Sequence, residues 1–416
     1  MDVAEKKRIR SWAFYDWANS AFATTIMAGF FPVFFKEYWS PGIDAVTTTA
    51  RLGTVISISS LIMACLSPTL GVVADLKGFK KGFCFFFTAM GVLSSFWLGF
   101  IPMGGWEAAM WAYGIGFLGF NAAIVFYESL LPHVAPAKDL DYVSSLGYSM
   151  GYLGGGVLFL FNVLMYLFPH WFGITDGVTA VRLSFVTVAV WWTIFSIPLF
   201  KNIPEPAAER SVENVGRLTL ASIQRLKETA QSMKAEPNIA IFLISYWLFI
   251  DGVYTVMTMA VDYGMSIGLG SKDLIAALLI TQFIGFPCAY YFGTVTKRWG
   301  TKKPILCCIA AYSVAVILAT WMSEAWQFYA LAIMIGMVQG GVQSLSRSMF
   351  ARMIPKDLSG EYFGFFNIVG RFASILGPLV VAVGVTVTGN SRLGLVGLLV
   401  LFISGSWLLM KVKEPA

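Results

Sequence analysis

Charge is what this chain has least of. Of its 416 residues only 12% are charged, against 57% hydrophobic, and the mean hydropathy is +0.71. Soluble domains carry about 25% charged residues, so a water-facing surface over most of the chain is excluded. Histidine is nearly missing: His133 and His170 are the two present, too few for an imidazole-based metal cluster. Cysteines stand at 65, 84, 288, 307 and 308 with no ligand spacing. They read as small hydrophobes, and neither metal nor cofactor is expected. The net charge of +6 does not point to nucleic acid, because the basic residues fall in short clusters between apolar runs and not along one face. No Walker, HExxH or G-x-S-x-G pattern sits where it could work, which argues against an enzyme. The first apolar run, Trp12 to Trp39, is too long for a signal-peptide core and lacks a cleavage pattern after it.

What the chain does have is long greasy stretches. Aromatic residues make up 16%, with 14 Trp, as suits interfacial belts. A bilayer span needs roughly 20 apolar residues, and twelve stretches qualify, from 12–38 through to 392–411. The expected fold is an all-α membrane protein of twelve transmembrane helices. Pro287 and Pro378 are expected to interrupt their helices. With the N-terminus inside, 22 Lys and Arg fall in inside segments and 5 in outside ones. The positive-inside rule therefore puts both termini in the cytoplasm.

The chain also repeats itself. "GVVADLKGFKK" (71–81) and "GTVTKRWGTKK" (293–303) both read G-x6-G-x-K-K, at an offset of 222. Gly147 and Gly154 match Gly370 and Gly377, and Leu131-Pro132 matches Ile354-Pro355, all at an offset of 223. These landmarks predict two pseudo-symmetric six-helix halves, 1–201 and 239–416, in parallel orientation with a site between them. Residues 202–238 join the halves. Val215, Leu218, Ile223, Leu226, Ala230 and Met233 recur there at near-helical spacing among Arg217, Arg225, Lys227 and Lys234. This is a helix lying on the membrane surface or a solvated linker helix.

In the basic turns, Gly71 and Gly78 are expected to allow a tight turn, with Lys80 and Lys81 anchoring it to the cytoplasmic surface. Asp75 is placed to accept hydrogen bonds from the N-terminus of a neighbouring helix and so latch one conformation. Lys297 occupies its equivalent in the second copy, which makes the latch one-sided.

The Gly71–Lys81 signature resembles the loop motif of the major facilitator superfamily. "YDWANSAF" (15–22), "YESLLP" (127–132), "LGYSMGYLGGG" (146–156), "DGVYT" (251–255), "QGGVQSLSRSMFARMIP" (339–355) and "NIVGRFASILGP" (367–378) are similar to the branch of fungal vacuolar amino-acid effluxers of autophagy and their bacterial relatives. The resemblance covers nearly the whole chain. It implies a secondary transporter that exports amino acids or similar small zwitterions by alternating access, with spans 1, 4, 7 and 10 lining the cavity. Muropeptides, sugars or lysolipids are alternative cargoes, and a non-transporting receptor is the alternative of another class. Short loops and no N-terminal extension favour a bacterial plasma membrane over a vacuole, and a monomer is expected.

Ionisable residues inside a membrane are costly and point to function. Asp251 and Arg371 lie about 18 and 15 Å into their spans at 1.5 Å per residue, at similar depth in one half. They form either a static pair or a site in which Arg371 takes the carboxylate and Asp251 the ammonium of a zwitterion. Tyr148 is the pseudo-symmetric partner of Arg371. Gln339, Gln343 and Arg347 stand at i, i+4 and i+8 on one helix face, either as substrate contacts or as helix–helix hydrogen bonds. Asp16, with Asn19 three residues on, is a gate, cap or site residue. Glu128 is either a proton carrier or one half of an ion pair with Lys80, Lys81 or Arg347 that closes an inner gate. Protons are the expected coupling partner.

Overall fold

The computed structural model describes residues 2–208, 224, 227–229, 231–233, 235–266, 268, 270–322, 324–372, 376–388 and 391–414. Among them every regular element is helical: α1 (Val3–Trp39), α2 (Ala45–Lys77), α3 (Lys80–Leu98), α4 (Trp106–Ser129), α5 (Leu140–Leu167), α6 (Gly177–Asn202), α7 (Pro237–Ser266), α8 (Ser271–Trp299), α9 (Lys302–Ala319), α10 (Ala325–Met353), α11 (Ser359–Phe372), α12 (Leu376–Thr388), α13 (Ser391–Val396) and α14 (Leu398–Lys411). Among the described residues eleven helices are long and apolar enough to cross a membrane, and α12 supplies a shorter apolar segment. α11 and α12 make the eleventh span and α13 and α14 the twelfth, which gives the twelve-span plan.

Helix starts follow local chemistry. Asp2 accepts from Glu5 N–H at 3.0 Å while Glu5 accepts from Asp2 N–H at 3.3 Å, a capping box that starts α1. Asp44 and Asp176 cap α2 and α6 through the N–H groups of Thr47 and Thr179, at 2.9 and 2.8 Å. Gly78 ends α2 in the left-handed region at φ 59°. Two stretches of α1, Phe22–Phe30 and Phe35–Trp39, are π-helical, a widened winding the sequence pattern does not announce.

Two of the helix crossings that join the halves depend on glycine. In one, α2 meets α11: a Cβ on Gly71 would overlap the Gly360 carbonyl, and one on Gly364 would lie 2.8 Å from the Ser67 carbonyl. In the other, α8 meets α5: a Cβ on Gly293 would lie 2.7 Å from the Ser145 Cβ, and one on Gly285 2.9 Å from the Tyr152 ring. The second helix of each half thus crosses the fifth helix of the other. Small residues allow that approach where lipid gives no hydrophobic drive to associate.

This corrects three expectations. Gly71 and Gly293 lie inside helices and serve close approach, not a turn. Pro287 lies within continuous α8 and does not interrupt it, as do Pro68 and Pro198 in α2 and α6. Lys80 is not a surface anchor either, because its side chain is buried. The amphipathic stretch of 202–238 falls mostly outside the described residues. Those described at 227–229 and 231–233 are helical, and Met233 is buried in the main core.

Candidate functional site

Asp75 meets the start of a neighbouring helix, and Lys80 departs from its expected place. Asp75 accepts from the N–H groups of Gly360 and Glu361 at 3.1 and 2.8 Å. A carboxylate there satisfies orphan donors of α11 and complements its dipole. Lys80, expected at the surface, is 2% exposed. Its Nζ lies 2.7 Å from Asp75 Oδ1, donates to Ser359 Oγ at 2.9 Å and sits 3.2 Å from His133 Nε2. Ser359 in turn donates to the Ser129 carbonyl at 2.8 Å. An unpaired ammonium would not tolerate such burial, and the sequence alone gave no sign that Asp75 was near enough to pair with it. Neither His133 nor Ser359 was picked out by sequence.

Lys81 does something else. Its Nζ donates to the Ile203 carbonyl at 2.9 Å, just past the end of α6. Glu205 returns the contact, accepting from the N–H groups of Lys81 and Gly82 at 2.8 and 3.2 Å where α3 begins. The same clip occurs in the other half. Lys302 Nζ donates to the Val412 carbonyl at 2.9 Å past the end of α14. Glu414 accepts from the N–H groups of Thr301 and Lys302 where α9 begins. The signal was there to find: "KNIPEP" (201–206) and "KVKEP" (411–415) both place Glu-Pro just beyond the last helix of a half.

The central charge cluster is built on Arg347 of α10, 2% exposed. Its Nε donates to Ser144 Oγ and one terminal nitrogen to the Ser144 carbonyl, both at 2.9 Å. That nitrogen lies 3.5 Å from Asp16 Oδ2 and the other 3.7 Å from Glu128 Oε1. The guanidinium also faces the rings of Tyr148 and Trp12, at 4.3 and 4.8 Å from their centroids. Tyr127 donates to Asp16 at 2.8 Å, and Asn367 to Glu128 at 2.9 Å. Helices α1, α4, α5, α10 and α11 therefore converge on one guanidinium. Of the partners offered for Glu128, the structure selects Arg347. Trp12, Tyr127, Ser144 and Asn367 were missed as site residues, although Tyr127 and Asn367 stand in family-like segments.

The other candidates lie around this cluster. Gln343 accepts from Tyr152 of α5 at 3.1 Å, and Gln339 is buried, so Gln343 and Arg347 both bind α5 across the interface between halves. Asn19 is buried but takes part in none of these contacts. Asp251 is fully buried and accepts from the N–H groups of Leu376 and Gly377 in α12, at 3.0 and 2.7 Å, and from Thr255 at 3.3 Å. The side chain of Arg371 lies outside the described residues. A further polar knot joins Asp141 to Arg352, Thr301 and Ser348 at 2.9, 2.9 and 2.5 Å.

Comparison with known proteins agrees with this architecture. The family model described as "Vacuole effluxer Atg22 like" matches residues 38–415. The uncharacterized MFS-type transporter YxiO of Bacillus subtilis is 36% identical over 98% of this chain and 95% of its own. Autophagy-related protein 22 of Yarrowia lipolytica is 25% identical over 63% of this chain, a match spanning 48% of the fungal protein. Among solved structures, the human organic anion transporter MFSD10 superposes with a TM-score of 0.72 at 11% identity, covering 98% of this chain and 100% of that one. FucP in its outward conformation gives 0.72 at 10%, covering 99% of each. The chain therefore has the major facilitator fold and belongs to the Atg22-like family of transport proteins, which are not enzymes.

Proposed function

We propose that this transporter exports amino acids or similar small zwitterions by alternating access, and that Arg347, Asp16 and Glu128 form its substrate and proton site. The observation that carries the reading is one buried guanidinium shared by two carboxylates at the seam between halves. An Arg fork suits a substrate carboxylate, and Asp16 or Glu128 suits an ammonium. A proton and an ammonium compete for the same carboxylate. Substrate and proton then cross in opposite directions, the arrangement an exporter driven by an inward proton gradient requires. The family model's description, a vacuole effluxer, supports export. We place the protein in a bacterial plasma membrane with both termini cytoplasmic, on the Lys and Arg bias and the Bacillus relative. The units 1–201 and 239–416 rock about the site, joined by 202–238.

Proteoliposome exchange of a labelled amino-acid mixture tests this. The wild type is expected to exchange saturably, Arg347→Ala to lose at least about tenfold, and Asp16→Asn or Glu128→Gln to lose the response to an imposed pH gradient. Asp251→Asn and Arg371→Ala run beside them. If those two abolish exchange while Arg347→Ala retains it, the site lies on α7 and α11 instead. If the wild type moves no amino acid, the cargo assignment fails.

A further inference from the structure

We infer that the groove between the first turns of α1 and the end of α6 binds an anionic phospholipid. This groove, of about 410 Å³, is lined by Lys6, Lys7 and Arg10 at one end and by Phe14 and Pro198 at the other. It lies outside the central cluster and plays no part in the proposed transport.

The chemistry is graded along one helix. Lys6 and Lys7 stand four and three residues before Arg10, and Phe14 four after it, so all four lie along one side of α1. α1 has 37 residues, about 55 Å at 1.5 Å per residue, against roughly 30 Å of hydrocarbon. Its first turns therefore stand at headgroup depth while Phe14 lies deeper. The three cations are exposed and Phe14 and Pro198 half-buried. The aromatic wall continues inward, with Phe14 stacked on Phe195 at 6.3 Å and Trp17 on Trp191 at 5.4 Å between centroids. Elsewhere on α6, Ile194 and Ile197 are half exposed, at 52% and 54%, as befits a helix whose outer surface meets acyl chains. The nearby acids do not line the groove: Asp2 and Glu5 are spent on the capping box. A cationic end and an apolar continuation match an amphiphile with a phosphate head. A zwitterionic lipid, whose own ammonium offsets the phosphate, gains less from three cations.

The test uses the full-length protein in detergent, with dioleoylphosphatidylglycerol or dioleoylphosphatidylcholine added. Lipid retained per protein is read by native mass spectrometry, and thermal stability is followed alongside. The wild type is expected to retain the anionic lipid at least about fivefold over the zwitterionic one. The triple variant Lys6→Gln/Lys7→Gln/Arg10→Gln is expected to lose that preference. A control triple at other exposed cations, Lys297→Gln/Arg298→Gln/Lys303→Gln, is expected to keep it. Arg10→Gln alone, with a partial loss expected, covers poor yield of the triple. Equal preference in the groove variants and the wild type overturns the proposal, as does equal retention of both lipids by the wild type. Protection by glycerol phosphate as strong as by the lipid would overturn the assignment to a membrane lipid.

Discussion

At the residue scale, Arg347 decides most. Removing it alone takes the guanidinium from beside two buried carboxylates, Asp16 and Glu128, and breaking a buried pair by removing one partner costs about 3–5 kcal/mol. Arg347→Met is expected to lower the thermal midpoint in detergent sharply. Arg347→Met combined with Asp16→Asn and Glu128→Gln is expected to recover much of that stability while exchange stays abolished. Recovery of exchange as well would show that the charges are structural only. Gly71 is the second such residue. Any Cβ there meets backbone of α11, which cannot swing aside as a side chain tip can. Gly71→Ala is expected to cost about 1–3 kcal/mol by overpacking, seen as a fall in thermal midpoint.

At the element scale, the two clips tie the start of α3 to the end of α6 and the start of α9 to the end of α14. Each glutamate satisfies backbone donors that the helix itself leaves open. Glu205→Ala and Glu414→Ala are each expected to cost about 1 kcal/mol, as lost helix caps do. Because the sites lie in different halves, the two losses should add. Strong non-additivity in thermal unfolding would contradict independent clips. Glu205 has a further signature. Partial burial raises its carboxyl above the ordinary value, although the N–H groups of Lys81 and Gly82 pull it back. A carboxyl raised on folding stabilises the protein below its unfolded pKa, and that contribution fades as pH rises through the folded value. Glu205→Gln keeps an acceptor without the charge, so it should flatten the pH dependence of stability just above the carboxylate range.

At the scale of the whole molecule, polar ties between halves concentrate toward the face that carries both termini: Asp75 on α11, Lys80 on Ser359, Arg347 on Ser144 and Asp141 on Arg352. Breaking the first should let that face open. Asp75→Asn weakens the pairing with Lys80 and the charge at the start of α11. A cysteine at Ser145, which now meets Ser344 at 3.0 Å across the seam, should then react with maleimide several-fold faster in a background lacking the other cysteines. Unchanged labelling would show that the latch does not control the seam.

Much of this was legible in one dimension. Apolar runs of bilayer length, the Lys and Arg bias and landmarks at offsets of 222 and 223 determined the span count, the expected orientation and the two-half plan, because the bilayer penalises every misplaced charge and open backbone group. Asp75 at a helix end was readable for the same reason. What only tertiary structure decided is which groups meet. Sequence depth set Asp251 beside the last spans, and the fold adds the N–H groups of Leu376 and Gly377 as donors to its carboxylate. Lys80 reads as a surface cation until Asp75 and Ser359 are seen to enclose it. Arg347 and Asp16 are 331 positions apart, and only the packing of one half against the other puts a guanidinium within reach of carboxylates that no periodicity connects.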